Sequence, residues 1–301
     1  MLSLLAAAAS SGEPLYWADL GLTRGIDLGI FTLRWYSLAY LAGIVLGYWL
    51  MLRMIRSAGA PLAQRHADDL FFYCTLGIIL GGRLGYATFY EPGLWAQPLE
   101  LLKLWNGGMS FHGGLAGTVL AIAWVSWRNK LDFVRVCDYI AVVVPFGMLF
   151  GRLANFVNGE LWGRVAGEEV AWAMVFPEAG PLARHPSQLY EAALVGALLA
   201  AVMLLLFWKT RARFRPGLLV GVFAAGIGLG RFVVEFFREP DSQLAEFAAR
   251  TGFSMGQWLT LPLIAAGLFF AIRALMRPPL GSGATGGGAG GGTSGTASGA
   301  A

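Results

Sequence analysis

Three arginines lie inside long apolar stretches of this sequence, where a charged side chain is costly. They are Arg83 in LGGRLGY, Arg152 in FGRLANF and Arg231 in GLGRFVVEF. Such an arginine costs about 2.5 to 3.5 kcal/mol on membrane-insertion scales, so each needs a partner or a function. Glu235 lies four residues after Arg231 and can pair with it on one helix face. Guanidinium groups also make forked hydrogen bonds to phosphate oxygens. Two interpretations of these arginines therefore remain. They form a network of ion pairs, or they bind a phosphate at the depth of a lipid head group.

Polar residues recur at helical spacing after Arg152, in the stretch GRLANFVNGELWGR of residues 151–164. Asn155 and Asn158 follow at i+3 and i+6, which predicts a polar stripe along one helix face. Gly159 is a favourable residue to end that helix. Glu160 follows directly, so a carboxylate and two amides are expected close to the arginine.

One histidine lies where it could transfer a proton. His112 belongs to NGGMSFHGGLAG, residues 106–117, where glycines on both sides let a bound group come close. An imidazole titrates near pH 6.5 and can accept or donate a proton at neutral pH, although a structural role at a helix entrance is the alternative. Ser110 does not indicate a serine hydrolase, because residues two apart on a helix point in different directions and no GxSxG motif accompanies it.

The composition is that of a polytopic membrane protein. Of the 301 residues, 56% are hydrophobic and 13% are charged, against about 25% charged in soluble domains. The net charge of +4 is explained by basic residues at cytoplasmic helix ends and does not indicate nucleic-acid binding. Cys74 and Cys137 form no metal-binding pattern, and neither HExxH nor a nucleotide-binding glycine motif occurs, so we expect no metal and no cofactor.

Seven apolar stretches approach the length of about 20 residues that a membrane-spanning helix needs. They cover residues 31–52, 70–90, 110–127, 136–156, 188–208, 217–237 and 257–276. The pattern predicts an all-α polytopic integral membrane protein with one transmembrane catalytic domain, residues 1–280. The Gly-rich segment 281–301 cannot bury enough apolar surface to order itself and is expected to be a disordered tail.

Lysines and arginines collect after the first, third, fifth and seventh stretches. The positive-inside rule then places the N-terminus outside and the C-terminus in the cytoplasm. Loops 91–109, 157–187 and 238–256 consequently face outward, and their aromatic residues suit the boundary between membrane and water. We expect them to form a periplasmic interfacial cap.

Five motifs, in order along the chain, carry a resemblance to a known family. The motifs are GGRLGY, GGMSFHGGLAG, GRLANFVNGELWGR, RHPSQLYEA and RFVVEFFREPD. Between about Arg34 and residue 275 the sequence resembles the phosphatidylglycerol-prolipoprotein diacylglyceryl transferases of bacteria. The fourteen-residue motif is the most specific, because several polar and glycine positions coincide at fixed spacing.

The resemblance implies a seven-span protein of the bacterial plasma (inner) membrane with an outward N-terminus. It implies transfer of the diacylglyceryl group of phosphatidylglycerol to the lipobox cysteine thiol of a preprolipoprotein signal peptide, with release of glycerol phosphate. This would be the first step of lipoprotein maturation. Its partners would be the lipid, the signal peptide and the bilayer. The peptide brings the nucleophile, so the enzyme needs a base and a cation rather than a reactive cysteine of its own.

The same resemblance suggests roles for individual residues. His112 would handle the thiol proton, and Arg152 and Arg231 would hold the phosphate. Other side chains would bind substrate or shape the pocket: Tyr36, Arg83, Asn155, Asn158, Glu160, Gly163 and Glu235. Of these, Glu235 would also hold Arg231 in place. Whether the histidine or a group polarised by an arginine activates the thiol is left open.

One position departs from the family pattern, and two other functions compete. Ile227 stands where the family pattern has a tyrosine, so either this protein needs no phenolic hydroxyl there or Tyr36 or Tyr40 supplies it from another helix. A transporter of a lipid or anionic solute could line its path with buried arginines, but the inverted repeats typical of transporters are not evident. A membrane scaffold with an architectural arginine network would tolerate Arg152→Lys.

Overall fold

Seven long helices coincide with the seven apolar stretches. The computed structural model describes residues 15–29, 32–104, 107–239 and 250–280; the N-terminal run, residues 240–249 and the Gly-rich segment from 281 onward lie outside the described residues. The helices are α1 (Trp35–Ile55), α2 (Gln64–Phe89), α3 (Phe111–Arg128), α4 (Phe133–Asn158), α5 (Ser187–Lys209), α6 (Leu218–Val234) and α7 (Met255–Met276). Within α5, residues Ala192–Leu198 form a π-helix.

Five of these helices are long and apolar enough to cross a membrane: α1, α2, α4, α5 and α7. Helix α6 is apolar but has only 17 residues, and α3 is not among the five. Within the described part of the chain the protein is therefore mostly helical, as an all-α membrane protein requires. Of the seven predicted membrane spans, five are therefore supported by the length and apolarity of their helices.

The remaining elements are short and lie in the connections. Strand β1 (Leu15–Tyr16) pairs in parallel with β4 (Met174–Val175), and β2 (Gly25–Asp27) pairs antiparallel with β3 (Thr32–Arg34). Around β1 and β4 a small apolar cluster forms from Leu15, Phe156, Met174 and Phe176. Trp17 donates its indole N–H to the carbonyl of Phe156 at 2.8 Å. These contacts fix the loop before α5 over the C-terminal end of α4.

The helices pack closely where small residues face each other. Helix α2 packs on α3 through glycines; a Cβ placed on Gly117 would lie 2.0 Å from the carbonyl oxygen of Gly77, and one on Gly113 would lie 2.2 Å from that of Gly81. Helices α6 and α7 meet in the same way. Small residues let helix backbones approach in a membrane, where van der Waals packing drives association. Bulkier residues at these positions would separate α3, which carries His112, from α2.

A buried carboxylate joins α4 to α6. Asp138 of α4 is 4% exposed, and its two oxygens accept hydrogen bonds from the backbone N–H groups of Gly217 and Val220, both at 2.8 Å. The first N–H groups of a helix have no partner within that helix. Asp138 therefore caps α6 from a neighbouring helix and fixes the start of the helix that carries Arg231.

Candidate active site

The polar stripe predicted after Arg152 is present at the end of α4. The helix ends at Asn158, and Gly159 follows in the left-handed conformation with φ 70°, which confirms the predicted helix end. Arg152 Nη1 donates to Asn155 Oδ1 at 3.2 Å. The amides of Asn155 and Asn158 donate to Glu160 Oε1 at 2.8 and 3.3 Å. A continuous hydrogen-bonded row thus leads from the guanidinium group of Arg152 to the carboxylate of Glu160.

Glu191, in the first turns of α5, joins two of the predicted arginines. Its carboxylate is 3% exposed; Oε1 lies 2.9 Å from Nη2 of Arg152 on α4, and Oε2 lies 2.9 Å from Nη1 of Arg231 on α6. Oε1 accepts no hydrogen bond of suitable geometry from the described residues. Its contact with Arg152 is therefore an ion pair in which the Nη2–H bond of the arginine points away from Oε1. Arg238 Nη1 lies 4.0 Å from Oε2. One buried carboxylate therefore gathers three guanidinium groups, which we name the arginine cluster: Arg152, Arg231 and Arg238.

Glu235 contacts the same cluster from the end of α6. The predicted pair with Arg231 is present, with Nη2 of Arg231 and Oε2 of Glu235 3.5 Å apart. The other oxygen of Glu235 accepts a hydrogen bond from the hydroxyl of Ser254 at 3.0 Å. Ser254 is the N-cap of α7. Glu235 is thus fixed between α6 and α7, and it limits the positions that Arg231 can take.

The arginine cluster is positively charged on its open side. The side chains of Arg152, Arg231 and Arg238 are 24 to 26% exposed, whereas Glu191 behind them is 3% exposed. Burial, followed by repulsion from Arg231, lowers the pKa of Arg238 from its usual value, but arginine stays protonated in proteins. The three guanidinium groups contact two carboxylates, Glu191 and Glu235, and Glu160 is a third carboxylate at the far end of the row from Arg152.

Gly163 lies where three backbone segments cross. Its N–H donates to the carbonyl of His185 at 2.9 Å, and the next N–H, of Arg164, donates to the carbonyl of Phe237 at 2.9 Å. A Cβ on Gly163 would lie 2.3 Å from that Phe237 oxygen. Only glycine fits this crossing, which places the chain at Arg238 beside Glu191.

Tyr36 lies near the row that starts at Arg152. Its hydroxyl is 3.1 Å from that of Tyr40, one turn along α1, and it is within electrostatic range of Glu160 and Arg152. Ile227 of α6 packs against the main hydrophobic core. The hydroxyl of Tyr36 on α1 is thus hydrogen-bonded to Tyr40 and lies within electrostatic range of both ends of the row.

Arg83 contacts backbone rather than the arginine cluster. Its side chain is 6% exposed and donates to five carbonyl oxygens of the segment before α3, at 2.5 to 3.4 Å: those of Glu100, Leu101, Lys103, Gly107 and Gly108. The structure thus shows Arg83 fixing the segment that leads into His112.

His112 lies in the first turn of α3 and is exposed. Its ring contacts Phe111, with centroids 5.6 Å apart. The described residues give its ring no hydrogen bond and no contact with the arginine cluster. Ser110, two residues earlier, is the N-cap of α3, where its hydroxyl accepts a hydrogen bond from the N–H of Gly113 at 3.2 Å.

Two residues of this site, Glu191 and the cluster member Arg238, were not predicted from the sequence. Glu191 lies in RHPSQLYEA and Arg238 in RFVVEFFREPD, both motifs that we had identified. The position of Glu191 was a signal for it, because an acidic residue inside an apolar stretch needs a cationic partner. In the part of the chain that the structure describes, no group of three or more His, Cys, Asp and Glu could hold a metal ion.

Comparison with known proteins places the sequence in a family. A family model described as prolipoprotein diacylglyceryl transferase matches residues 25–273. Three proteins named phosphatidylglycerol–prolipoprotein diacylglyceryl transferase are similar along most of their length. That of Erythrobacter litoralis is 61% identical over 91% of this chain and 97% of its own. That of Zymomonas mobilis is 50% identical over 86% and 90%, and that of Rhodospirillum rubrum 48% identical over 85% and 93%. The chain therefore belongs to the prolipoprotein diacylglyceryl transferase family.

Proposed function

We propose that this protein transfers the diacylglyceryl group of phosphatidylglycerol to a cysteine thiol of prolipoproteins. The observation that carries the proposal is the convergence of Arg152 and Arg231, from separate helices, on the buried carboxylate of Glu191. This arrangement leaves a cationic surface that fits the phosphate of a lipid head group. The names of the relatives supply the two substrates.

The reaction forms one bond and breaks another. The cysteine sulfur attacks the glyceryl carbon that bears the phosphate, so a C–S bond forms and the C–O bond to phosphate breaks. The electron pair of that bond leaves with the phosphate oxygen, which releases glycerol phosphate. A thiol with a pKa of about 8.5 is mostly protonated at neutral pH, so a base that accepts its proton raises the reactive thiolate fraction.

The arginine cluster stabilises the departing phosphate in this proposal. Charge grows on the phosphate oxygen as the C–O bond breaks, and fixed donors aimed at that oxygen lower the barrier. Arg152 and Arg231 act directly on the phosphate, while Glu191 and Glu235 hold their guanidinium groups. Asn155, Asn158 and Glu160 orient Arg152 through the hydrogen-bonded row.

His112 accepts the thiol proton in this proposal. Its exposed ring at the entrance of α3 leaves room for a peptide, and an imidazole is basic enough at neutral pH. Arg83 positions the preceding segment rather than touching substrate. Tyr36 supplies a hydroxyl within electrostatic range of Glu160, and Gly163 keeps Arg238 in place.

The membrane arrangement follows the same reasoning. We place seven spans in the bacterial inner membrane, with the N-terminus outside, the C-terminus in the cytoplasm, and residues 1–280 forming one catalytic unit. Basic residues after α1, α3, α5 and α7 support this orientation. The loop between α4 and α5, held by β1 and β4 over the end of α4, would belong to the periplasmic cap.

One assay tests the activity. The purified full chain is incubated with phosphatidylglycerol vesicles and a peptide carrying a single lipobox cysteine, and the peptide mass is measured. We expect a gain of one diacylglyceryl group. A matched variant lacking both half-buried protein thiols, Cys74 and Cys137, should be equally active, because the substrate brings the nucleophile. Folded wild-type protein that leaves the peptide mass unchanged would overturn the proposal; no observation favours transport.

A further inference from the structure

Helix α5 changes its backbone hydrogen bonding directly after Glu191. Residues Ala192–Leu198 form a π-helix, and the N–H group of Leu199 at its end donates to the carbonyl of Leu194, five residues earlier. Such turns are rare within α-helices and are frequent at functional sites. We propose that this π-helix positions Glu191 for the reaction, by turning its carboxylate toward two arginines of the cluster. The inference rests on the proposed function, since it concerns how the arginine cluster is held.

Helical periodicity shows what the π-helix changes. Leu199, Met203 and Phe207 are buried and mark the inner face of the α-helical part of α5. An α-helix has about 3.6 residues per turn, and counting back at that spacing puts Glu191 about a third of a turn away from this face. A π-helix closes i→i+5 hydrogen bonds and therefore holds more residues in each turn. It takes up one extra residue and returns Glu191 to the inner face, where the carboxylate is 3% exposed.

Gly196 of the π-helix lets α5 approach α4 close to Arg152. A Cβ added to Gly196 would lie 2.7 Å from Cα and 2.8 Å from Cβ of Leu149, so only glycine fits while the two backbones stay this close. Leu149 lies three residues before Arg152 and shares a helix face with it. The next contact along the two helices is the ion pair of Glu191 with Arg152, at 2.9 Å.

Val195, the residue before Gly196, packs on the other side against α6. Val195 is 0% exposed, and a Cβ added to Gly230 of α6 would lie 2.7 Å from its Cγ2 atom. Arg231 directly follows Gly230, and its Nη1 lies 2.9 Å from Oε2 of Glu191. The π-helix therefore contacts both of the helices whose arginines Glu191 joins.

These two contacts fix the rotation of α5 about its own axis. If α5 rotated, the carboxylate of Glu191 would move away from one arginine as it approached the other. Small residues allow the close helix packing that prevents such a rotation in a membrane. Neither Gly196 nor Val195 has a polar side chain that could bind phosphate. Both are therefore positioning residues, and each acts through Glu191.

A double-mutant cycle tests whether Gly196 acts through Glu191. Gly196→Ala should lower the transfer rate by about tenfold to a hundredfold, because the added Cβ displaces α5, and small displacements of a positioned group have effects of this size. Glu191→Gln should also slow transfer. In the double variant, Gly196→Ala should cost less than about twofold more, since the group through which it acts is already lost. Losses that simply multiply in folded proteins would overturn the inference.

Gly147→Ala is the matched control for the added methyl group. Gly147 also lies within a helix, on α4, and a Cβ added there meets nothing within 4 Å. This variant should retain wild-type activity. Thermal unfolding in detergent shows which of the variants are folded.

A size exchange tests the contact with α6 and does not need Gly196→Ala to fold. Gly230→Ala brings a Cβ to 2.7 Å from Cγ2 of Val195, and the next atoms lie at 3.8 Å. We expect this variant to lose activity. Val195→Ala removes the Cγ2 atom, so the combined variant Gly230→Ala/Val195→Ala should recover most of the loss. An unimpaired Gly230→Ala protein, or a folded combined variant without recovery, would overturn the positioning role.

The two proposals fail in different ways. Folded wild type that transfers no diacylglyceryl group would overturn the proposed function. Active wild type whose variants show independent losses in the cycle, or no recovery in the size exchange, would overturn the role of the π-helix alone.

Discussion

Arg152 Nη2 lies 2.9 Å from Oε1 of Glu191, a contact that joins the end of α4 to the start of α5. The other oxygen of the same carboxylate lies 2.9 Å from Arg231 on α6. Removing one partner of a buried ion pair leaves an uncompensated charge, whereas the complete group is held in one geometry. The position of each arginine therefore depends on residues of two other helices.

Arg152→Lys should abolish most of the activity without unfolding the protein. Lysine keeps the charge, but it cannot contact Glu191, Asn155 and phosphate together, because it lacks the planar fork of donors. We expect the transfer rate to fall by about a hundredfold or more, the scale seen when one donor to a developing oxyanion is removed. The rate of diacylglyceryl addition to the cysteine peptide gives the measurement.

Arg128→Lys serves as the control for that change, since Arg128 is exposed at the end of α3. It should retain wild-type activity. An Arg152→Lys protein that is folded and fully active would show that charge alone suffices at position 152, as a scaffold would require.

Glu191→Gln should reduce both activity and stability. The amide of glutamine cannot neutralise Arg152 and Arg231, so the two guanidinium groups would repel each other and move apart. We expect the free energy of unfolding to fall by about 1 to 3 kcal/mol, less than for a fully buried pair because the guanidinium groups are about a quarter exposed. Thermal unfolding in detergent, followed by circular dichroism, measures this loss.

The comparison variant is Glu178→Gln, which removes an exposed pair with Arg24. Its effect should stay within about 0.5 kcal/mol. Equal stability losses for the two glutamate variants would contradict the role assigned to Glu191.

Gly163→Ala should disrupt the crossing that places Arg238. The added Cβ would lie 2.3 Å from the Phe237 oxygen and 2.7 Å from that of His185, so at least one backbone segment must move. We expect a large loss of transfer activity together with faster amide exchange at Arg184 and His185, whose N–H groups donate to backbone carbonyls at this crossing. Gly93→Ala, where an added Cβ meets nothing within 4 Å, should change neither; a fully active Gly163→Ala protein would argue against a required crossing.

Asp138→Ala should destabilise α6 at its N-terminal end, which is the end away from Arg231. It leaves the N–H groups of Gly217 and Val220 without a partner, at about 1 to 3 kcal/mol for each buried donor. Asp138→Asn keeps one acceptor and should fall between wild type and the alanine variant. Thermal unfolding ranks the three proteins, and any other order would disprove the capping role. Asp27→Ala, which removes an exposed turn contact to Gly29, is the control.

Local features of the site could be predicted from sequence. The end of α4 at Gly159 and the pair of Arg231 with Glu235 depend on residues within one or two helical turns, where helical periodicity applies. Helix bounds were less accurate, since α1 begins at Trp35 rather than at residue 31. Hydropathy changes gradually at a helix end and does not define the first hydrogen-bonded residue.

Long-range features could not be predicted. The contact between Glu191 and Arg231 joins residues 40 apart in sequence, and the apposition of Arg238 depends on the backbone crossing at Gly163. The partners of Arg83 are backbone carbonyls, which every residue carries, so side-chain chemistry gave no signal for them. The roles of His112, Tyr36 and the two arginines in the reaction stay predictions.

The binding of phosphatidylglycerol by the arginine cluster is the central claim, and equilibrium binding tests it most directly. Native mass spectrometry of the full chain in neutral detergent would compare wild type with the double variant Arg152→Gln/Arg231→Gln, with phosphatidylethanolamine as the competing lipid. We expect wild type to prefer phosphatidylglycerol, and the folded double variant to bind it at least about tenfold more weakly, the loss of roughly one charge-assisted hydrogen bond. Equal affinity and equal preference in the two folded proteins would contradict the account.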